Sequence, residues 1–333
     1  MRITHTRTLL ASFSALILTG TTLALGAPSQ AAPEPHPKGV EVHAAATTRT
    51  AHERIVSYWT PERMRAAVPA DVLVADRDKA SAGDSVAAGA PAVVGERASK
   101  EPKAAAAEVG EYYTGGGNVV ATTGKVFFTL GGTNYVCSGS AVSSANEDVV
   151  LTAGHCLNEG PGAYATNFAF VPAYDDGSRP YGTFTARSLL TTSQWANQGD
   201  FDYDVGFAVM NTVGGQNLTD VVGSQPIGFN LSRGQYAYSF GYPAARPYDG
   251  TDIAWCHGQT GDDVWGGSND YALSCNMTGG SSGGPWFTSY DEASGNGVLT
   301  SVNSFGYRGL RNVMFGPYLG SVAQSVYTTA AGM

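Results

Sequence analysis

The chain has 333 residues, with 19 Lys and Arg against 28 Asp and Glu, a formal net charge of −9 and 43% apolar residues. That length allows about two domains, and the acidic balance argues against a nucleic-acid partner, which would need a basic face. The acid excess is local: residues 109–333 carry seven Lys/Arg and seventeen Asp/Glu, whereas residues 1–108 are close to neutral.

Residues 1–31 open with Arg2 and Arg7, continue with an apolar run over 9–25, and end Ser29-Gln30-Ala31. A positive start, an apolar middle and a small-x-small ending are the pattern of a secretory signal peptide. A membrane anchor is the alternative, but the Thr and Ser residues between Ser12 and Thr22 dilute the run. No later stretch approaches the roughly 20 apolar residues that span a bilayer. The expectation is an exported, extracellular protein with no membrane association once mature.

Residues 32–112 are read as a prosegment and linker. APEPHPKG and KEPKAAAAE, near its two ends, have linker composition. Between them SYWTPERMRAAVP carries a helix start: Thr60 can cap, Pro61 suits the first helical position, and Glu62 and Arg63 follow. Tyr58, Trp59 and Met64 can form a small apolar patch. A disordered spacer is the competing reading.

From about Val109 glycine and aromatics rise, and short β-like runs alternate with turn signals. They are KVFFTL (125–130), NYVCSGSAV (134–142), DVVLTA (148–153), FAFVPAY (168–174), GTFTARSLL (182–190), DVGFAVM (204–210), QYAYSFGY (235–242), YALSCN (271–276), PWFTSY (285–290) and VLTSVNSF (298–305). Many short strands with few helical patterns predict an all-β sandwich or barrel. SVAQSVYTTAA (321–331) places Val322 and Val326 four apart and predicts a closing helix.

Four cysteines, Cys137, Cys156, Cys256 and Cys275, can pair in three ways. An even count in an exported chain favours two disulfides. Sequential pairing, Cys137–Cys156 and Cys256–Cys275, closes two short loops and is the expected one. A zinc site is the weaker alternative, because no C-x-x-C spacing is present and histidines are few.

Three motifs carry chemistry. MTGGSSGGPW (277–286) contains G-x-S-x-G centred on Ser282. A hydroxyl is a weak nucleophile that needs a base and donors for the oxyanion. LTAGHC (151–156) supplies His155 at the end of a β-like run. FDYDVGFAV (201–209) puts Asp204 at the head of a strand, where a carboxylate can orient an imidazole. Asp200 and Asp202 are read as solvated turn residues. With Asp204 they mimic the D-x-D-x-D of a calcium loop, but Asn211 stands where an EF-hand needs Glu. The chain order then separates two folds. α/β-Hydrolases place the histidine last, yet the last histidine here, His257, precedes Ser282. The order His155, Asp204, Ser282 is that of the chymotrypsin-like β-barrels.

TAGHC, DVGF and GSSGGP together resemble the three signature segments of chymotrypsin-like serine proteases. GKVFFTLGGTNYVCSGSAV and FVPAYDDG resemble secreted actinobacterial members related to the glutamyl endopeptidases. The likeness covers roughly residues 110–333. It implies two antiparallel six-stranded β-barrels, the first over 113–222 with His155 and Asp204 and the second over 223–333 with Ser282. It also implies a disulfide between Cys137 and Cys156, tying the preceding strand to the histidine loop.

By motif position, Ser282 is then the nucleophile, His155 the base and later the acid, and Asp204 the group that fixes the imidazole. The N–H groups of Gly280 and Ser282 would form the oxyanion hole. Ser304, Phe305 and Gly306 would lie on the strand that pairs with substrate, and Asn276 would sit at the base of the primary pocket. Many animal members carry aspartate where this chain has Ser281, so activation through an N-terminal ion pair is not expected. In the glutamyl endopeptidases a histidine on the substrate strand takes part in glutamate recognition; the matching position here is Asn303. His257 is read as a surface residue. With no charge over 271–290, a neutral P1 residue is expected.

The reading is therefore a secreted serine endopeptidase made as a zymogen, mature from near residues 105–120, acting on peptide or protein substrates as a monomer with no cofactor or metal. Two alternatives keep the fold and change the activity: a catalytically silent binding module, and a serine esterase.

Overall fold

Gly131 and Gly132, with φ of +56° and +83°, form the tight turn that suits the right-handed twist of a hairpin. They join strands Thr123–Leu130 and Thr133–Ala141, which pair antiparallel from Thr123 opposite Ser140 to Leu130 opposite Thr133. The computed structural model describes residues 1, 37–74, 85–96 and 107–333. The signal-peptide reading, over residues 1–31, lies outside them apart from Met1.

This hairpin starts a closed ring. Thr133–Ala141 pairs with Val149–Thr152, which pairs with Gly206–Met210, then Phe184–Thr192, then Thr166–Pro172, which returns to Thr123–Leu130. Six strands thus leave no free edge. Phe127, Val150, Leu151, Phe170, Phe184, Leu190 and Phe207 are all fully buried, and burial of such side chains is the main favourable term in folding.

The second half is built differently in detail. A seven-stranded sheet runs Ala92–Val94, Ile227–Phe229, Asn296–Val302, Pro285–Asp291, Tyr236–Gly241, Ala254–Gln259, Glu108–Tyr112. A three-stranded sheet of Gly261–Asp262, Tyr271–Ser274 and Val313–Gly316 accompanies it. Trp286, Leu273, Tyr271 and Met277 pack in a common core with the disulfide Cys256–Cys275, which joins the two sheets. The second disulfide is Cys137–Cys156, so the sequential pairing is the one adopted. The fold is mainly β, of the chymotrypsin-like class.

The C-terminal helix spans Ser321–Ala331 as expected, and it buries Ala323, Val326, Tyr327 and Ala330. That stripe has the i, i+3, i+4, i+7 spacing of one helix face; it includes Val326 but is centred one residue past Val322. The Tyr327 ring meets Phe207 of the first barrel and Phe229 of the second half.

Residues 37–74 are folded on the first barrel rather than forming a featureless spacer. Strand Val40–Ala44 pairs antiparallel with Phe184–Thr192. Helix Arg49–Tyr58 follows, then helix Pro61–Ala66, where Thr60 Oγ1 accepts from Arg63 N and Pro61 opens the first turn. Trp59 is 1% exposed, its ring 5.4 Å from Phe127 and its Nε1 donating to Asn167 O at 2.6 Å. Met64 is buried with it, and Tyr58 packs at its edge.

Candidate active site

His155 lies in a single helical turn, Gly154–Cys156, that follows strand Val149–Thr152. Its backbone N–H donates to Asp204 Oδ1 at 2.7 Å, and its Nδ1 lies 2.7 Å from Asp204 Oδ2. A carboxylate only accepts, so this contact fixes the proton on Nδ1 and leaves Nε2 with a lone pair. Both side chains are buried. Nε2 is buried too and has no hydrogen-bond partner among the described residues. Glycine at 154 is required by space, since a Cβ there would meet the Trp195 ring at 2.8 Å and Asp204 Oδ1 at 3.0 Å.

Asp204 follows the turn Phe201–Tyr203 and leads into strand Gly206–Met210. Ser304 Oγ donates to its Oδ2 at 2.5 Å. The carboxylate is thereby held from two sides while it faces the imidazole.

Ser282 is 4% exposed and sits in the glycine loop. Its carbonyl accepts from Ser138 N at 2.7 Å and lies 3.8 Å from Cys156 Sγ, so the serine loop is tied to the strand and disulfide that carry His155. No hydrogen bond joins Ser282 to His155 Nε2. Gly280 adopts φ +95° and Gly283 φ +78°, a region that favours glycine. A Cβ at Gly283 would lie 2.1 Å from Thr152 Oγ1. Among the described residues the N–H groups of Gly280 and Ser282 donate no hydrogen bond. Two free donors beside a buried hydroxyl can receive a developing oxyanion.

Asn303, at the position compared with a substrate-reading histidine, is instead a buried hub. Its Nδ2 donates to Phe240 O and Ser281 O, both at 3.1 Å; its Oδ1 accepts from Ser239 Oγ at 2.8 Å and Trp286 Nε1 at 2.7 Å. With Gly283 N donating to Asn303 O at 2.7 Å, it fastens the glycine loop around Ser282 to the second sheet. Ser138 does the same from the first barrel, its Oγ donating to Gly280 O at 2.9 Å. Neither anchor was legible in the sequence, because a Ser within a strand or an Asn just past one looks like any other polar residue there.

A cavity of about 670 Å³ adjoins this loop, lined among others by Asp71, Asn276, Ser282, Ser304, Gly306 and Arg311. Phe305 is buried against Phe201 and Phe315. Asn276 lines the cavity, but its polar atoms are engaged: Oδ1 accepts from Tyr248 OH at 2.6 Å, Nδ2 donates to Gly110 O at 3.3 Å, and its N donates to Val109 O at 2.7 Å.

Three readings of single residues need correction. His257 is not on the surface: it is 4% exposed, stacked on Tyr238, with Nδ1 2.8 Å from Tyr236 OH. Asp202 is not solvated: it is 1% exposed and accepts from Asn269 N and Nδ2, each at 2.7 Å. Asp200 is buried as well and caps the Phe201–Tyr203 turn. The sequence hid these because the covering residues lie some sixty or so positions away in the chain or on a neighbouring strand. The sulfurs of Cys137 and Cys156 lie near the His155 nitrogens, but they are joined to each other and hold no thiolate for a metal.

The family described as the trypsin-like peptidase domain matches residues 137–295. The solved structure of protease Anisep from Arthrobacter nicotinovorans is 52% identical, with 67% of this chain and 100% of that one covered and a TM-score of 0.63. The thermostable serine protease AL20 from an extremophilic microorganism is 47% identical, covering 65% of this chain and 99% of that one, with a TM-score of 0.62. The chain belongs to the trypsin-like serine protease family. A curated relative, an extracellular metalloprotease of Bacillus subtilis, is 30% identical over 103 residues, 29% of this chain; the chain spans 32% of that protein's length.

Proposed function

We propose that the protein is a secreted serine endopeptidase in which Ser282, His155 and Asp204 act as the triad. The observation that carries this reading is the His155–Asp204 pair: the Nδ1 contact of 2.7 Å orients the ring, the backbone N–H bond of 2.7 Å holds its turn, and Nε2 is left as a buried base without a hydrogen-bond partner among the described residues. Nε2 takes the Ser282 hydroxyl proton as Oγ bonds to the scissile carbonyl carbon, and the oxygen becomes an anion received by Gly280 N–H and Ser282 N–H. The imidazolium, stabilised by Asp204, returns its proton to the leaving amine, and an acyl-enzyme remains. Water, deprotonated by the same nitrogen, releases the acid and restores the serine.

The primary pocket is proposed to take a neutral P1 residue. Asn276 has its amide committed to Tyr248 and Gly110, and no charged residue occurs over 271–290. Arg308 and Arg311 line the same cavity but are exposed. Ser281 Oγ donates to Thr278 O at 2.8 Å, which supports activation without an N-terminal ion pair. Loss of activity on blocking the mature N-terminal amine, with the fold intact, would contradict that point.

Digestion of a peptide library by the mature protein, with Ser282→Ala as control, tests the whole reading. Cleavage after neutral residues, absent from the control, is expected. Hydrolysis of simple esters but no peptide, or cleavage retained by the control, would overturn it.

A further inference from the structure

We infer that residues 68–74 fill the substrate cleft in the reverse chain direction, so that the N-terminal segment blocks Ser282 without offering it a cleavable bond. This inference rests on the endopeptidase reading above. Three consecutive contacts carry it.

Val68 and Pro69 pair, parallel, with Tyr135 and Val136. That strand continues into Cys137, bonded to Cys156, and Ser138, which holds the Ser282 carbonyl. Ala70 is then fully buried and opens the turn Ala70–Leu73. Asp71, within this turn, enters the cavity beside Ser282: a Cβ added at Gly279 would lie 2.0 Å from Asp71 Oδ1. Gly279 has no positive φ, so its missing side chain serves the fit of this carboxylate rather than a turn. Burial pushes the Asp71 carboxyl up, and the nearby His155 imidazole partly offsets that. Finally Val74 is buried in an apolar cluster with Trp195, Phe201, Phe305 and Phe315.

The polarity follows from the chemistry. The acyl half of a substrate is N-terminal to the scissile bond and would lie along Ser304–Gly306. The leaving half is C-terminal and would depart past His155, which protonates its amine. In residues 68–74 the N-terminal end lies on the His155 and Cys137 side, and the C-terminal end lies against Phe305. A side-chain carboxylate, with no leaving group attached, rests against the nucleophile loop. Trp59, sunk into the first barrel beside Phe127, anchors the segment from outside the cleft.

The test measures how fast a fluorophosphonate labels Ser282 in the full chain. The wild-type chain should label slowly, Asp71→Ala about tenfold faster from loss of the side chain packed against Gly279, and Trp59→Ala at least about thirtyfold faster from loss of a buried aromatic anchor. Mass spectrometry of the wild-type chain after long incubation should find no cut within 68–74. Variants labelling at the wild-type rate, or a cut within 68–74, would overturn the inference. If no form labels, the serine-hydrolase reading is what has failed. Docking is then read on the Ser282→Ala chain by hydrogen exchange. Slow exchange over 68–74 that Trp59→Ala accelerates supports it, and fast exchange in both contradicts it.

Discussion

Ser304 lies outside the proposed triad yet touches one of its members. Its hydroxyl donates to Asp204 Oδ2 at 2.5 Å, on the same oxygen that faces His155 Nδ1. Removing one donor to a buried carboxylate leaves its charge less well satisfied, at a cost of about 1.5–3 kcal/mol. Ser304→Ala is therefore expected to lower kcat about tenfold with KM little changed, read by steady-state kinetics on a peptide substrate. An unchanged kcat would mean that the hydroxyl does not support the carboxylate. At this scale the sequence pointed to the proposed reacting groups, whose types and order are chemically constrained: His155, Asp204 and Ser282 each stand in a short distinctive run. It was silent about the groups that hold them. Asn303 saturates its amide against Ser239, Trp286, Phe240 and Ser281, a role that depends on four partners brought in from three other segments.

At the scale of elements, the strand Glu108–Tyr112 deserves its own prediction. It pairs with Ala254–Gln259, and Gly110, at φ +147°, accepts from Asn276 Nδ2. A Cβ at Gly110 would lie 2.1 Å from Asn276 Oδ1. Gly110→Ala should thus displace Asn276, costing the fold roughly the 1–3 kcal/mol of overpacking, and raise KM about fivefold, worth about 1 kcal/mol, with kcat less affected. A variant with wild-type KM would separate this strand from the pocket. Elements with their own local signal were legible in the sequence. The Thr60-Pro61 helix start and the C-terminal helix fall where capping and spacing put them. Strands Glu108–Tyr112, Ala254–Gln259 and Val313–Gly316 went unread, because EVGEY, AWCHGQ and VMFG owe their extended form to partners far away in the chain.

At the scale of the molecule, Lys125 links the first barrel to the loop carrying Gly250, with Nζ donating to Gly250 O at 2.6 Å. Burial pushes its pKa from 10.5 down to about 8, only partly offset by Asp249 and Asp176. Between those two values the unfolded chain binds the proton and the folded chain does not, so this group's contribution to stability rises with pH across that window. Each pKa unit is worth about 1.4 kcal/mol, which makes the effect a few kcal/mol at most. Lys125→Met should remove that upward slope, seen as a difference in urea midpoint between wild type and variant that narrows from pH 7 to pH 10. A difference constant with pH would contradict it.

A chymotrypsin-like two-barrel assembly was legible in the sequence from the order His155, Asp204, Ser282 together with the resemblance carried by TAGHC, DVGF and GSSGGP. How residues 37–74 lie on that assembly was not. Its anchor, Trp59, and its cleft contact, Asp71, acquire meaning only against surfaces formed by residues 127–282.

The most direct test of the central claim is to trap the acyl-enzyme. An activated peptide ester is added at mildly acidic pH to the wild-type, His155→Ala and Ser282→Ala chains, and each is quenched and mapped by mass spectrometry. The account predicts one acyl group, on Ser282, formed by the wild type, strongly reduced in His155→Ala and absent from Ser282→Ala. An acyl group on another residue, or equal acylation of all three chains, would contradict it.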